Sequence, residues 1–330
     1  MSPIRGVPTT ILVAPDSFKG TFTAAQVARA IGSGLQAAGR EVDLCPVADG
    51  GEGTVAALAD RLGARERAQQ VSDPLGRPVT AAFALAEGTA VIETAAASGL
   101  DRVGESERDP LAASTAGTGE LIVAAVAAGA RTIYLGVGGS ATTDGGTGAI
   151  AAIERAGGLQ GAELVVLCDV RTPFEDAARV FAPQKGADPD QVRRLTARLH
   201  ALGRRWASDP RGMPMTGAAG GLSGGLWSVL GARLVPGAAF VLDAIGFDPR
   251  MRAARAVVTG EGCLDAQSLT GKIVSEVATR ARQAGVPCHA IVGAHELDSF
   301  EMRILDLQTV REAGSLPALR AAGQRLGAEL

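Results

Sequence analysis

Arginine outnumbers lysine 29 to 3 in this chain of 330 residues, and each lysine stands beside a glycine: Phe18-Lys19-Gly20, Gln184-Lys185-Gly186 and Gly271-Lys272-Ile273. Lysine is a compact point charge on a flexible stem, suited to reaching a phosphate oxygen from a loop. Lys19 follows Asp16 and Ser17, and Lys272 follows Glu261, Asp265 and Ser268. A third polar loop sets Asp49 and Glu52 among Gly50, Gly51 and Gly53. Phosphoryl transfer uses these groups together, because its loose transition state spreads charge over phosphate oxygens and leaves the protein positioning and electrostatics to supply. Lys19 and Lys272 are expected to bind phosphate. Asp16, Ser17, Glu261 and Ser268 are expected to line the nucleotide or its acceptor. Asp49 and Glu52 are the expected magnesium ligands, directly or through water, since that ion takes only one or two protein carboxylates.

Two glycine-rich loops add donors. Gly136-Val137-Gly138-Gly139-Ser140-Ala141-Thr142-Thr143-Asp144-Gly145-Gly146 follows an apolar run and precedes a helical one, and Ser114-Thr115-Ala116-Gly117-Thr118-Gly119 repeats the arrangement. Glycine lets a backbone approach a ligand closely, and a helix N-terminus favours an anion. Thr115, Gly117, Thr118, Gly138, Gly139, Ser140 and Thr142 are therefore expected at a binding surface, with Ser98 and Lys185. Asp144 is expected to orient the acceptor hydroxyl, with Asp265 its competitor. Three sharper motifs fail. Gly136-x-Gly138-x-x-Ala141 fits the dinucleotide fingerprint, but the segment after it is glycine-broken and its helix starts too late. Gly221-x-Ser223-x-Gly225 fits a hydrolase elbow without the apolar strand that should precede it. Gly271-Lys272 lacks the spacing and the following hydroxyl of a P-loop.

The elements that would carry these loops alternate. Apolar, β-branched runs at 10–14 and 42–47 predict strands, with helices after each at Thr23 onward and over 54–62. Runs at 256–259 and 289–292 predict two more, with a helix over 273–284 between them, a weaker strand at 308–310 and a helix over 316–326. Such alternation indicates a parallel sheet, whose ligands bind beyond the carboxyl ends of the strands. Between the two halves the pattern differs. Runs at 79–85 and 89–94 around Ala86-Glu87-Gly88 predict a hairpin. Helices over 119–128 and 148–155, strands at 132–135 and 164–168, and a helical stripe from Val192 to Trp206 follow. The fold class is α/β in two domains: a parallel-sheet domain from 1–71 and 252–330, and a mixed α/β domain, 72–251, inserted into it.

Composition narrows the function. Apolar residues are 46% of the chain and aromatics 3%, which suits cores of Ala, Val, Leu and Ile between helices and parallel strands. The net charge of −3 is scattered, so neither nucleic acid nor an anionic membrane is an expected partner. The opening residues are broken by Pro3, Arg5 and Pro8, so no signal peptide is expected, and the apolar runs are too short to span a bilayer. Cys45, Cys168, Cys263 and Cys288 lie too far apart for a CxxC pair and fit a reducing cytoplasm.

In these loops the chain resembles the class I glycerate kinases. The resemblance runs through APDSFKG (14–20), VADGGEGT (47–54), DPLG (73–76), ETAAASGL (93–100), STAGTGELI (114–122), GVGGSATTDGGTG (136–148), CDV (168–170), FAPQKGAD (181–188), GAAGGLSGGL (217–226) and TGEGCLDAQSLTGK (259–272). It is collinear over nearly the whole chain. The resemblance implies a flavodoxin-like domain carrying a restriction-enzyme-like one, the use of ATP and magnesium, and phosphorylation of D-glycerate, usually at the 2-position. The chain departs from the family pattern twice. It passes directly through 156–163 where the family has a long glycine-rich insertion, and it reads Cys168-Asp169-Val170-Arg171-Thr172-Pro173-Phe174 where the family has CDVTNPL. A kinase for another small hydroxy-acid, a nicotinamide-dependent oxidoreductase and an inactive nucleotide-binding homologue are the alternatives.

Overall fold

The computed structural model describes residues 9–168, 170–269 and 272–330. The opening segment 1–8, Asp169 of the CDV segment, and Thr270 and Gly271 before Lys272 lie outside the described residues. In chain order the strands are β1 (Ile11–Pro15), β2 (Val42–Leu44), β3 (Arg65–Ser72), β4 (Pro78–Ala86), β5 (Thr89–Glu93), β6 (Thr132–Gly136), β7 (Glu163–Cys168), β8 (Arg233–Pro236), β9 (Ala256–Gly260), β10 (Cys263–Leu264), β11 (Cys288–Val292), β12 (Ala294–His295) and β13 (Val310–Glu312). They fall into two compact units, one from Met1–Asp49 with Ala238–Leu330 and one from Gly50–Gly237.

The first unit holds a parallel sheet of order β2-β1-β9-β11-β13. Counted within that unit this is 2-1-3-4-5, the flavodoxin-like order. β1 and β9 are buried along their whole length, so their side chains alternate between two cores. Leu12 and Ala14 join Val257, Val274 and Val277 on one face, while Ile11 and Val13 join Ile31, Val258 and Leu319 on the other. The expected helix after Thr23 spans Ala24–Ala37. It begins with a capping box in which Gln26 N donates to Thr23 Oγ1 and Thr23 N donates to Gln26 Oε1.

The second unit holds a mixed sheet of order β3-β4-β5-β6-β7-β8, antiparallel through β3-β4-β5 and parallel from β5 onward. The expected hairpin is β4-β5. Two strands are new: β3, reading RERAQQVS with six consecutive exposed residues, pairs along its full length with β4 at one sheet edge, and β8 pairs with β7 at the other. The division between units falls at other residues than those expected from the sequence. Helix Thr54–Leu62 packs on β4 and β5, and Val55 N donates to Glu93 Oε1 at the end of β5. Residues 50–71 thus belong to the second unit, and 238–251 to the first. The two ends of the second unit lie side by side: a side chain on Gly50 would come within 3.0 Å of Gly237 Cα. None of the four cysteines forms a disulfide. Among the described residues no helix is long and apolar enough to cross a membrane.

Candidate active site

β1 and β9 run parallel with Pro15 opposite Gly260, so the next residues on each strand, Asp16 and Glu261, leave the sheet together at its carboxyl edge. Asp16 N donates to Gly260 O at 2.8 Å, and Asp16 Oδ1 accepts from Ser17 N at 2.6 Å. Lys19 reaches across to Asp49, which follows β2, with Nζ 3.4 Å from Oδ2. The two central acids are buried. Burial pushes the Asp16 carboxyl well above the usual carboxylate range, the charges of Asp49 and Glu261 add to that, and Lys19 and the Ser17 N–H oppose it. Glu261 is pushed up to about 7, chiefly by burial, against the Ser268 hydroxyl, Lys272 and Lys19. Its Oε1 is buried without a hydrogen-bond partner. The carboxylates in turn raise the Lys19 ammonium, Asp49 most of all.

The loop after Glu261 is fixed by a local exchange. Asp265 N donates to Ser268 Oγ at 3.1 Å and Ser268 N donates to Asp265 Oδ1 at 3.2 Å. Lys272 Nζ stands 3.8 Å from the same oxygen. Helix Ile273–Ala284 starts immediately after Lys272 with no side-chain cap, leaving its first N–H groups available to an anion. The structure therefore gathers Asp16, Ser17, Lys19, Asp49, Glu261, Asp265, Ser268 and Lys272 on one edge of one sheet. Two lysines among acids whose carboxyls burial raises can cradle a polyanion carrying a cation. Among the described residues no three His, Cys, Asp or Glu side chains are grouped as a metal cage.

In the second unit the expected binding residues sort differently. Asp144 faces inward: Oδ2 accepts from Thr115 N (2.9 Å), Thr115 Oγ1 (2.9 Å) and Gly148 N (3.1 Å), and Oδ1 accepts from Gly146 N (3.0 Å). It pins the two glycine-rich loops to each other. Asp144→Ala should consequently act on stability, leaving four donors unmatched at a cost of roughly 2–4 kcal/mol, read as a lower urea midpoint. A variant of unchanged midpoint but lost activity would instead restore the orienting role expected from the sequence. Ser98 Oγ and Thr118 Oγ1 share a hydrogen bond of 2.8 Å inside the same scaffold. Two of the glycines serve backbone packing: a side chain on Gly117 would meet Ser72 O at 1.8 Å, and one on Gly138 would meet Gly51 Cα at 2.6 Å. Gly139 makes a backbone contact, its carbonyl accepting from Leu100 N. Glu52 lies beside Glu93, whose carboxyl is raised by burial and by that neighbour.

A second group converges on Lys185. Its buried Nζ donates to Ser140 Oγ at 3.0 Å and to the Thr142 carbonyl at 2.5 Å. Burial lowers its pKa to about 7, with only the more distant Asp144 opposing. The Thr142 hydroxyl is buried without a partner. Two of the rejected motifs stay rejected: Ser223 is buried with its hydroxyl donating to Met215 O at 2.6 Å, and the helix after the Gly136 loop begins only at Thr147.

The model of the glycerate kinase family matches residues 11–157 and 155–318. The chain belongs to the glycerate kinase family. It is 40% identical to a glycerate kinase of Halalkalibacterium halodurans over 86% of this chain and 85% of that one. It is 34% identical to the glycerate 2-kinase of Escherichia coli K12 over 97% of both. Among solved structures, a glycerate kinase 2 from Salmonella typhimurium LT2 superposes with a TM-score of 0.79 at 32% identity, covering 98% of each chain. The two stretches of the family match meet at residues 155–157. There this family member passes from helix Thr147–Arg155 to β7 through the turn 156–162, and β7 still pairs with β6 in register from Thr132↔Glu163 onward. The expected shortening is thus a plain turn that leaves the sheet whole.

Proposed function

We propose that this chain transfers the terminal phosphoryl group of ATP to D-glycerate, forming 2-phosphoglycerate, as a cytoplasmic enzyme with magnesium on the nucleotide. Family membership supports glycerate as acceptor, and the relative named a glycerate 2-kinase supports the 2-position. The observation that carries phosphoryl transfer is the cluster of Lys19, Asp16, Asp49 and Glu261 at the carboxyl edge of the parallel sheet. Asp16 and Glu261, both raised chiefly by burial, with Asp49 and Glu261 adding to the rise of Asp16, fit a site completed by a divalent cation. Magnesium on a nucleotide takes most of its ligands from phosphate and water, so Asp16 and Asp49 suffice without a protein cage. When bound, the ion neutralises charge on the phosphate oxygens.

The chain's own residues supply the rest. Lys19 and Lys272 hold phosphate oxygens, and the open N-terminus of helix Ile273–Ala284 adds N–H donors. Glu261, with a carboxyl poised near neutral pH and one oxygen unpartnered, takes the proton of the attacking hydroxyl. Asp265 shapes its loop through Ser268 and steadies Lys272. The test is release of ADP from ATP and magnesium with D-glycerate, with L-glycerate and without acceptor, and identification of the product by NMR. Release dependent on D-glycerate with phosphorus coupled at C2 is the expected result. Folded protein that binds ATP but releases no ADP in the presence of D-glycerate would overturn the proposal.

A further inference from the structure

Beside the Gly136 loop of the second unit lies a small cavity of about 10 Å³, lined by Leu75, Leu100, Val103, Pro110, Ala113 and Ala141 with Arg108, Asp109 and Lys185. That is far below the ~300–1,000 Å³ of pockets that enclose drug-sized ligands, so it has room for a single polar group at most and not for a nucleotide. Its polar groups are unbalanced. Lys185 is buried, and its two hydrogen bonds go to neutral oxygens. Arg108 lays its stem against Gly186, where a side chain would come within 3.4 Å of Arg108 Cβ, and its Nε is buried without a partner. Among the described residues neither cation has a carboxylate within ion-pair distance. Asp109 does not supply one, because its Oδ1 accepts from Leu111 N and Ala112 N and caps its own turn.

Two cations beside one apolar-walled cavity, neither of them ion-paired, describe a receptor for a small anion. We propose that Arg108 and Lys185 bind the carboxylate of the acceptor acid, and that Arg108 sets the enzyme's preference for an acid over a neutral polyol. This rests on the glycerate kinase reading given above. The Arg108 guanidinium offers planar paired donors to a carboxylate. Lys185, held by Ser140 and Thr142, supplies charge from below, and a bound carboxylate would draw its proton back onto it. The Ser140 hydroxyl and the Gly139–Thr142 backbone then act as positioning elements for Lys185.

The test pairs kinetics with direct binding. Arg108 is half-buried at a loop, and Arg108→Met is expected to fold as the wild type does. It should raise KM for D-glycerate about 10- to 100-fold, the effect of losing a charge-assisted pair, with KM for ATP unmoved. Arg108→Lys should recover part of that loss. Discrimination between glycerate and glycerol should shrink by a similar factor. Independently of turnover, the Arg108 Nε–H resonance should shift on titration with D-glycerate in the absence of nucleotide, and less with inorganic phosphate. Wild-type turnover of glycerate with an unchanged KM in Arg108→Met would overturn this inference and leave the kinase reading standing. Absence of wild-type turnover with the resonance still shifting would overturn the kinase reading and support the anion pocket. A resonance that moves with phosphate but not with D-glycerate would replace the carboxylate by a phosphate group.

Discussion

Lys19→Met is expected to lower kcat by about 100- to 1,000-fold, the scale of losing one preorganised donor to a developing charge. Lys19 keeps more than half of its side chain in solvent, and its ion pair with Asp49 spans 3.4 Å, so the melting temperature should move little. The pH profile should move as well. Lys19 opposes the upward shift of both Asp16 and Glu261, so its removal carries the acid limb of the pH–rate curve to higher pH. Lys19→Arg keeps the charge but replaces a point cation with a broad planar fork, and should recover only part of the rate. Steady-state kinetics from pH 5 to 9 checks this. A Lys19→Met enzyme with more than a tenth of wild-type kcat and an unmoved acid limb would remove Lys19 from the phosphate site.

The second large effect has opposite signs in activity and stability. Glu261 has a folded pKa of about 7 against 4.5 for an ordinary glutamate. Between those values the folded chain holds the proton that the unfolded chain has released, so stability falls as pH rises through the window. The full contribution is present below about 4.5 and is lost above about 7. The difference is on the order of 3 kcal/mol. Glu261→Gln remains neutral throughout. In chelator, it should match the wild type at pH 4.5 and unfold at a higher urea concentration at pH 8. The same substitution removes the proposed proton acceptor and should cost about 100-fold or more in kcat. Equal urea midpoints at pH 8 would mean that the buried carboxyl is not strained by its charge.

Much of the scaffold is readable without coordinates because it is governed locally. β1, β9 and β11 are buried on both faces, so they appear as unbroken apolar runs, and Pro15 ends the first. Helix Ile273–Ala284 shows a strong helical period with Gly285 after it. β3 is the reverse case: its composition is that of a solvated helix or loop, and only pairing with β4 makes it a strand. Helix Ala218–Leu230 is likewise hidden, since Gly220, Gly221, Gly224 and Gly225 erase any period and Ala219–Gly221 are left-handed inside it.

The site divides along the same line. Residue type and loop position identify the acids and lysines at the β1 and β9 ends, because topology alone brings parallel strand ends together. Direction is a different matter. Asp144 stands in a glycine-rich loop that looks like a ligand cradle, yet its carboxylate turns back to hold that loop. Arg108 stands in the charged run Glu105-Ser106-Glu107-Arg108-Asp109, which reads as a solvated turn until the chain folds it against Gly186. No periodicity reports either outcome.

The adjacency of Gly50 and Gly237 bears on how the molecule assembles. β1 must wait for β9, its partner from Ile11↔Ala256 onward, and at about 5–20 residues per second on the ribosome that delay is roughly 12–50 s. Closing so long a gap as open chain costs about 4–5 kcal/mol of loop entropy. Once Gly50–Gly237 has collapsed into its own unit, its ends meet and the gap is bridged by a contact, with a 3.0 Å approach at Gly50. The inserted unit then acts as a folding clamp for the parallel sheet. A lesion in its core would lower the yield of active enzyme even with every residue of that sheet intact.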